Sequence, residues 1–398
     1  MPEAKAALRI QDSTFGDDLS ERQIRNVSPF SLSQITLTHF RNYENMRLVT
    51  DRAPVVLTGA NGSGKTNLLE AISLAVPGRG MRRCALSDFQ NRLSTEPWAA
   101  AIELRTEAGI LRIGTGRDAS ETAGERRLVH IDGKPARGQN GLAEHIAMAW
   151  ITPDMDRLLA EGATARRKFL DRLAFSFDPA HGGRVQRYEK AMRERLRLLR
   201  EGGYDSMWLS ALEDEMAQTA VAIAAARRHM IARLRTAIDE GGDVFPRADI
   251  DVRGTAEDLL DHKPALLVED ALREAFARSR VGDAASGTCA TGAHRSDLCV
   301  THRTKNCPAE LCSTGEQKAL LIALMLAYVR LLTEQRRMTP LFLLDDIAAH
   351  LDDFRRAALF DETRALGAQV WFTGTDEETF SSLAPYAQMF RVQDGIIV

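Results

Sequence analysis

The stretch Gly59-Ala-Asn-Gly-Ser-Gly-Lys-Thr66 decides the fold of this chain of 398 residues. Apolar residues 55 to 58 precede it and residues 67 to 72 follow, which is the pattern of a short strand, a glycine-rich turn and a helix. Glycines let successive N–H groups point at phosphate oxygens, and the helix adds its positive N-terminal end. Lys65 can reach the β- and γ-phosphates, and the Thr66 hydroxyl can hold Mg²⁺. This stretch, the phosphate loop, therefore predicts a nucleoside triphosphate site formed by Gly59, Ala60, Asn61, Gly62, Ser63, Gly64, Lys65 and Thr66.

The composition limits the classes of protein that fit. The formal net charge is −3, so the whole chain is not a basic nucleic-acid binder, and any DNA-binding surface must be a local patch. Residues 1 to 29 are polar and mixed in charge, which predicts a flexible N-terminal tail rather than a secretory signal. The longest apolar run, residues 319 to 329, is too short to span a bilayer. We therefore expect a cytoplasmic protein that does not enter a membrane.

Four of the 5 cysteines fall between residues 289 and 312, together with two histidines. A metal site is one interpretation of this cluster, but the spacings fit no common zinc pattern. Reduced thiols of a cytosolic protein are the favoured interpretation.

Hydrophobic patterning predicts an α/β fold. Alternating segments predict half-buried strands at residues 33 to 40, 100 to 104, 110 to 113 and 128 to 131, and apolar runs predict buried strands at 55 to 58, 341 to 344 and 370 to 373. Residues 152 to about 240 are mainly helical in pattern, and a long apolar helix begins near Ser313. The economical architecture is one α/β sheet built from both ends of the chain, with a helical block inserted. We assign residues 30 to 150 and 335 to 398 to lobe I, and residues 151 to 334 to a mainly helical lobe II.

Two carboxylates follow the apolar strand 341 to 344. In open α/β sheets ligands bind at strand ends, so Asp345 is placed to hold Mg²⁺ through its water shell and Asp346 to orient or deprotonate an attacking water. An Asp-Asp pair after a strand is also consistent with a plain turn. Because a phosphate loop stands earlier in the chain, we favour the catalytic interpretation and predict Lys65, Asp345 and Asp346 as catalytic residues.

The segment that opens the long apolar helix contains Ser313, Gly315, Glu316 and Gln317. Ser313 and Glu316 have the spacing of a capping box, so one interpretation is simply a well-capped buried helix. The other is that the helix end presents the Ser313 hydroxyl and the Gly315 N–H to a γ-phosphate. The segment resembles the signature of ABC-type ATPases, in which the signature of one subunit contacts ATP held by another. By this resemblance all four residues act in trans.

Two further segments resemble parts of ABC-type ATPases. Asp352 stands at the position of the D-loop, and residues 370 to 375 stand at the position of the switch loop. No histidine is present in that switch segment, and Asp346 stands where many relatives have Glu. Both departures favour slow hydrolysis.

A narrower resemblance rests on several motifs along the chain. They are Phe40-Arg-Asn-Tyr43, Gly78-Arg-Gly-Met-Arg-Arg83, Ile131-Asp-Gly133, Ile151-Thr-Pro-Asp154, Gly162 with Arg166-Arg-Lys-Phe-Leu-Asp171, Gly292 with His294-Arg-Ser-Asp297, and the pair Asp345-Asp346. Together they resemble the RecF family of bacterial recombination and gap-repair ATPases, an SMC-like branch of the ABC type, from about Phe30 to Val398. Residues 286 to 308 depart from that pattern, and Ala293 stands where a proline is usual.

This resemblance implies a function. It implies an ABC-type P-loop ATPase head with an inserted helical lobe and no long coiled coil, with Arg41 and Asn42 near the nucleotide. ATP and Mg²⁺ are the implied cofactors, and ATP is implied to drive a head-to-tail homodimer with weak, DNA-stimulated ATPase activity. The implied role is binding of single-stranded, gapped or junction DNA, and work with RecO and RecR in placing RecA on DNA. Replication restart and SOS induction are the implied context.

Two groups of basic residues are candidates for contact with the DNA backbone. They are Arg79, Arg82 and Arg83 after the nucleotide helix, and Arg184, Arg187, Lys190 and Arg193 in the basic stretch from 184 to 200. Such stretches can bind phosphates without sequence preference, with affinity that falls steeply as salt rises. Charged helices are also often solvated faces or pack through arginine stems, so both interpretations stay open.

Other classes of P-loop protein fit less well. A transport-coupled ABC ATPase predicts a switch histidine and a catalytic Glu, and the sequence has neither at those positions. An SMC-like structural machine needs coiled-coil arms of a length that the inserted block lacks. A small-molecule kinase has no signature motif. Another SMC-like or ABC-type ATPase coupled to a different partner is the remaining alternative.

Overall fold

A computed structural model describes residues 30–117, 126–136, 138–202, 205–336 and 338–398. The prediction of a flexible tail at residues 1 to 29 lies outside the described residues. The strands are β1 Ser31–Phe40, β2 Tyr43–Val49, β3 Val55–Thr58, β4 Ala99–Thr106, β5 Gly109–Arg117, β6 Arg127–Ile131, β7 Lys134–Pro135, β8 Met148–Ile151, β9 Ala248–Arg253, β10 Asp297–His302, β11 Cys307–Pro308, β12 Leu341–Leu344, β13 Gln369–Gly374, β14 Gln388–Gln393 and β15 Ile396–Ile397. The α-helices are α1 Lys65–Ser73, α2 Ala163–Phe175, α3 His181–Glu201, α4 Ser206–Asp239, α5 Thr255–Leu260, α6 Ala265–Ser286, α7 Thr314–Arg336 and α8 Asp353–Ala365.

The sheet that carries the phosphate loop has the strand order β15-β14-β3-β13-β12-β8. Strands β14, β3, β13, β12 and β8 run parallel to one another, and β15 turns back against β14. The central strands β3, β13 and β12 are buried along their whole length, which is why they read as unbroken apolar runs in the sequence. Strand β13 lies between the strand of the phosphate loop and the strand that ends in the two carboxylates.

A second six-stranded sheet, antiparallel in every pairing, has the order β2-β1-β4-β5-β6-β7, and β9 to β11 form a three-stranded sheet. The expectation of one α/β sheet was therefore wrong. Alternation along a strand shows that one of its faces is buried, but it does not show which strands pair. The predicted strands themselves are present, and β8 is an edge strand that the pattern did not reveal.

The helical region forms an apolar cluster separate from the main core. Tyr188, Met216, Ala220, Leu272 and Phe276 are buried in this second cluster, which α3, α4 and α6 build. Helix α4 has 34 residues, and its C-terminal half enters the main core together with α7 and both large sheets. A helix of that length spans about 50 Å, and within the described ranges no helix is longer, so no long coiled coil is formed. The lobe boundaries at residues 150 and 334 stay a prediction.

Helix α3 also corrects the picture of a broadly basic surface. Arg195, within the basic stretch, is fully buried and pairs with Glu213 at 2.9 Å and Asp283 at 2.7 Å. A buried arginine of this kind is satisfied by hydrogen-bonded carboxylates and is not available to a ligand. Among the residues that the structure describes, no helix combines the length and the apolar character needed to cross a membrane.

Candidate nucleotide site

Glycines shape the phosphate loop between β3 and α1. Gly59, Gly62 and Gly64 have φ angles of 145°, 83° and 121°, which residues with a side chain rarely adopt. A Cβ at Gly59 would lie 2.1 Å from the carbonyl oxygen of Val392. Gly64 is the N-cap of α1, and no side chain of the described residues caps that helix end with a hydrogen bond. The loop therefore presents a bare helix N-terminus, the arrangement that binds anions.

Lys65 and Ser63 both have polar atoms turned into this loop. The Lys65 ammonium donates to the carbonyl oxygens of Gly59 at 2.6 Å and Ala60 at 2.9 Å. Burial lowers the pKa of Lys65, and the carboxylates of Asp346 and Asp345 act in the opposite direction. The Ser63 hydroxyl is buried and has no hydrogen-bond partner within the part of the chain that the structure describes. A buried hydroxyl without a partner in a glycine loop fits a phosphate oxygen, because such groups are costly to leave unpaired.

Two side chains from two elements meet at Asp345. Thr66 at the start of α1 donates to Asp345 Oδ1 at 2.9 Å, and Thr373 of β13 donates to the same oxygen at 2.8 Å. Burial raises the pKa of Asp345, and the hydrogen bonds from Thr373 and Thr66 partly offset that rise. A hydroxyl beside a carboxylate supplies the hard oxygen ligands that Mg²⁺ prefers, so Thr66 and Asp345 fit the predicted metal site.

A cavity of about 320 Å³ joins the phosphate loop to the two carboxylates. It is lined by Asn61, Gly62, Gly64, Lys65, Thr66, Asn67, Arg82, Thr152, Pro153, Asp154, Asp345, Asp346 and Thr373. The predicted catalytic residues thus lie together. A larger cavity of about 670 Å³ lies over the three-stranded sheet, but its arginines pair with neighbouring carboxylates and it contains none of the nucleotide motifs.

The turn between β1 and β2 supports the phosphate loop from outside. Asn42 Nδ2 donates to the Ser63 carbonyl at 2.9 Å, and Tyr43 donates to the Gly64 carbonyl at 3.0 Å. The backbone N–H of Gly395, in the C-terminal hairpin, donates to the same Ser63 carbonyl at 3.0 Å. These contacts place Asn42 against the loop, although neither Asn42 nor Arg41 lines the cavity.

Arg41 turns toward helix α1 instead. Its guanidinium forms two hydrogen bonds with the fully buried carboxylate of Glu70, at 2.9 and 3.1 Å. Arg82 also lies near Glu70, at 3.8 Å, and it lines the cavity that holds Lys65. The structure therefore brings Arg82, predicted as a DNA contact, to the nucleotide site. Contact of Arg41 with a nucleotide stays a prediction.

The predicted signature forms a complete capping box at the start of α7. The Ser313 N–H and hydroxyl both donate to Glu316 Oε2 at 2.9 Å, and Lys305 pairs with Glu316. Lys305, with Ser313, lowers the pKa of Glu316 to about 2. Gln317 points inward and donates to the Cys312 carbonyl at 2.9 Å, whereas Ser313 and Gly315 are exposed.

None of the four signature residues lines the cavity that holds Lys65 and the carboxylates. Asp352, predicted as the D-loop residue, is the N-cap of α8 and accepts from the Arg355 N–H at 2.8 Å. The predicted contact of the signature with a second subunit and the assignment of Asp352 to the D-loop both stay predictions.

The remaining candidates for DNA contact are exposed to different degrees. Arg79, Arg83, Arg187, Lys190 and Arg193 are exposed, whereas Arg184 is half-buried. Three of the helix α3 arginines face carboxylates: Arg184 pairs with Asp178, Arg187 lies 3.7 Å from Glu215, and Arg193 lies 3.7 Å from Glu189. The positive charge of α3 is thus partly neutralised, which the sequence of the helix alone did not show.

Sequence reasoning missed three contributors to the site. Thr373 bonds the carboxylate of Asp345 and the backbone N–H of Asp346, Tyr43 anchors Gly64, and Asp154 lines the cavity from the segment after β8. The hydroxyl of Thr373 in the switch-loop segment was a usable signal in the sequence.

The parallel sheet with its phosphate loop, the paired carboxylates and the capped signature helix define a P-loop ATPase of the SMC head class. Residues 31–398 match the family model described as RecF/RecN/SMC N terminal domain. The chain is 47% identical over 368 residues to the DNA replication and repair protein RecF of Mesorhizobium japonicum, covering 92% of this chain and 97% of that protein. It is 46% identical over 366 residues to the protein of the same name from Rhizobium rhizogenes, covering 92% and 97%. The chain belongs to the RecF family.

Solved structures agree in fold. The recombination mediator protein RecF with ATP, from the RecFOR pathway, superposes with a TM-score of 0.81 at 22% identity, covering 93% of this chain and 97% of that one. The Smc head domain of Pyrococcus furiosus, with an extended coiled coil, gives a TM-score of 0.51 at 15% identity, covering 92% and 95%. At these identities the likeness establishes the fold alone.

Proposed function

We propose that this protein is an ATP-driven dimer switch that binds single-stranded and gapped DNA in recombinational gap repair and replication restart. In this role it assists RecA loading together with RecO and RecR and takes part in SOS induction. Its relatives carry the name DNA replication and repair protein RecF, and one RecF of the same fold was solved with ATP. The observation that carries the proposal is the single cavity shared by Lys65, Thr66, Asp345 and Asp346.

Different residues in and around this cavity are proposed to bind the nucleotide and to promote its hydrolysis. The phosphate-loop N–H groups and Lys65 hold the β- and γ-phosphates, and the Ser63 hydroxyl gains the partner that it lacks within the described chain. Thr66 and Asp345 hold Mg²⁺, which when bound neutralises charge on the phosphate oxygens. Asp346 orients a water molecule toward the γ-phosphate and accepts its proton.

Hydrolysis is proposed to be slow. Asp346 is one methylene shorter than the Glu of many ABC-type relatives, and no histidine stands in the switch segment from residue 370 to 375. A base that reaches the water less well, without a histidine in the switch segment, lowers the rate of the chemical step while ATP binding is kept. The nucleotide then serves chiefly to hold two subunits together, and DNA stimulates its turnover.

The position of the signature supports the proposed dimer. Ser313 and Gly315 are exposed at the start of α7, outside the cavity that holds Lys65. Among the described residues, no side chain other than those of its chain neighbours stands within 4 Å of a Cβ placed on Gly315, so the helix end can be approached closely. A second copy would place this helix end on the γ-phosphate, and the two signatures would complete two sites.

The test is the mass of the protein in solution, measured by light scattering with ATP, with ADP and without nucleotide. We expect a dimer with ATP and a monomer in the other two conditions. A monomer in all three, under conditions where ATP binding is shown by calorimetry, would contradict the switch. DNA binding is measured in the same three states with a gapped duplex and an intact duplex of equal length.

A further inference from the structure

Thr373 lies in the strand between the two strands that lead to the nucleotide site. It is in β13, opposite Leu57 of β3, and it is one residue beyond Phe372, which pairs with Leu344 of β12. Its side chain is 1% exposed. The hydroxyl therefore lies between the strand that enters the phosphate loop and the strand that ends in the carboxylates.

This one hydroxyl serves both carboxylate residues. It donates to Asp345 Oδ1 at 2.8 Å and accepts from the backbone N–H of Asp346, also at 2.8 Å. A hydroxyl has one hydrogen to give and lone pairs to accept, so a single side chain can meet both needs. A side chain of the same shape without the oxygen can meet neither.

The backbone of Asp346 makes the second bond important. Its φ is 54°, in the left-handed region that residues other than glycine seldom adopt. Such a conformation persists only where its surroundings hold it in place. The bond from the Asp346 N–H to Thr373 is one such restraint, and it fixes the direction in which the Asp346 side chain leaves the backbone.

We infer that Thr373 is a positioning residue that holds Asp345 for Mg²⁺ and Asp346 for the attacking water. This inference rests on the proposed function, because it concerns the same site. Thr66 also donates to Asp345 Oδ1 at 2.9 Å, but Thr66 is itself a metal ligand in the proposal. Thr373 is the donor to Asp345 that does not belong to the metal site, so it sets the orientation of the carboxylate independently of the metal.

The test compares Thr373→Val, which keeps the volume and removes the hydroxyl, with Thr373→Ser, which keeps the hydroxyl. A fluorescent ATP analogue is titrated in EDTA and then with increasing Mg²⁺, so the readout is equilibrium binding and not turnover. We expect all variants to bind the analogue alike in EDTA. Residues that hold a metal ligand in place typically contribute 10- to 100-fold to metal affinity. Thr373→Val should therefore need at least about tenfold more Mg²⁺ than the wild type for Mg²⁺-dependent binding of the analogue. Thr373→Ser should need about the wild-type amount.

Thr363→Val is the matched control. Thr363 is also buried, and its hydroxyl donates to the Phe360 carbonyl at 2.9 Å in α8, away from the cavity. It should leave the Mg²⁺ requirement unchanged. If Thr373→Val does not fold, the pair Thr373→Ser and Thr373→Ala, which differ by one oxygen, makes the same comparison.

The outcomes separate this inference from the proposed function. An unchanged Mg²⁺ requirement in Thr373→Val, with Mg²⁺-dependent binding by the wild type, overturns the role of Thr373 alone. Equal losses in Thr373→Ser and Thr373→Val overturn it too, because the hydroxyl would then not matter. A wild-type protein whose analogue binding does not depend on Mg²⁺ overturns the role of Thr373 and the proposed nucleotide chemistry together.

Discussion

Thr66 donates a hydrogen bond of 2.9 Å to Asp345, although 279 positions of the chain separate the two residues. Thr66 is the second residue of α1, which follows β3, and Asp345 directly follows β12, with β13 between β3 and β12. The bond joins the two residues that are proposed to hold Mg²⁺. It therefore makes the two halves of the nucleotide site, which come from distant parts of the sequence, into one unit.

Replacing Lys65 should weaken nucleotide binding. In Lys65→Met the side chain stays unbranched and is one atom shorter, and the ammonium that is proposed to reach the phosphates is lost. Because hydrogen bonds to charged groups contribute about 1.5–3 kcal/mol, we expect ATP affinity to fall about 10- to 100-fold. Calorimetric titration measures this, and ATP affinity within twofold of wild type would contradict the role of Lys65.

Replacing Ser313 should separate nucleotide binding from dimerisation. The residue lies outside the cavity of its own chain, so Ser313→Arg should leave ATP affinity unchanged while its bulk blocks a second subunit. Light scattering should then show a monomer in the presence of ATP. Ser313→Ala separates the effect of bulk from the loss of the hydroxyl, since it removes the cap, at a cost of about 1 kcal/mol in stability, and the hydroxyl proposed to meet the γ-phosphate, without adding bulk. A dimer of Ser313→Arg would rule out the action in trans.

Replacing the second carboxylate should stop hydrolysis without stopping binding. Asp346→Asn is nearly the same size but cannot take a proton from water, so we expect ATP turnover to fall about 100-fold or more. ATP should persist, and residence on gapped DNA should lengthen in surface binding measurements. Asp361→Asn is the control, because the ion pair of Asp361 among the described residues is with the exposed Arg364 at 3.2 Å, a contact of small energetic value. Unchanged turnover in Asp346→Asn would show that another group acts as the base.

The stability of the helical region should fall at low pH because of the carboxyl group of Asp171. Burial alone would raise the pKa of this carboxyl, but hydrogen bonds from His181 and Arg227 outweigh it and lower the pKa to about 2. A group with a lowered pKa stabilises the fold above its unfolded value of about 4, and this stability is lost as pH falls toward 2.

Asp171→Asn should therefore destabilise the protein by about 3 kcal/mol at pH 7, since the buried Arg227 loses the nearer of its carboxylate partners and keeps Glu257 at 3.5 Å. The difference from wild type should shrink as pH falls below about 4. Chemical denaturation at several pH values measures it. A difference that stays constant down to pH 3 would show that the charge of Asp171 is not what stabilises this region.

Contact with DNA should be distinguishable from contact with nucleotide. Lys190 is exposed on α3, whereas Arg82 lines the cavity beside Lys65. Lys190→Ala should weaken DNA binding and lower the slope of affinity against salt by about 1, which is the signature of one lost phosphate contact. Arg82→Ala should weaken ATP binding more than DNA binding. A salt slope unchanged in Lys190→Ala would remove Lys190 from the DNA-binding surface.

Much of the site could be predicted because its motifs are local. Positive φ angles are easy only for glycine, so Gly59, Gly62 and Gly64 already indicate a curved loop, and the apolar run before Asp345 already indicates a buried strand end. The S-x-x-E spacing likewise predicted the capping box of Ser313 and Glu316, because residues three apart face each other at a helix start.

Contacts between distant segments could not be predicted in this way. The partners of Arg195, on α4 and α6, lie far along the chain, so an apparently exposed basic residue proved to be buried. Arg82 appeared to belong to a basic patch, and only the path of the chain after α1 brought it to the nucleotide cavity. The pairing of alternating strands into a separate antiparallel sheet was missed for the same reason.

The sequence by itself determined the phosphate loop, the carboxylate pair, the capped signature helix and the family to which they point, since each depends on backbone conformation and side-chain spacing over a few residues. Only the tertiary structure decided that Thr373 bonds the Asp345 carboxylate and the Asp346 N–H, that Arg41 turns to Glu70, and that the signature stands apart from the cavity of its own chain. Those relationships depend on which strands and helices lie side by side. That choice is made by the packing of the whole core, and a local pattern does not contain it.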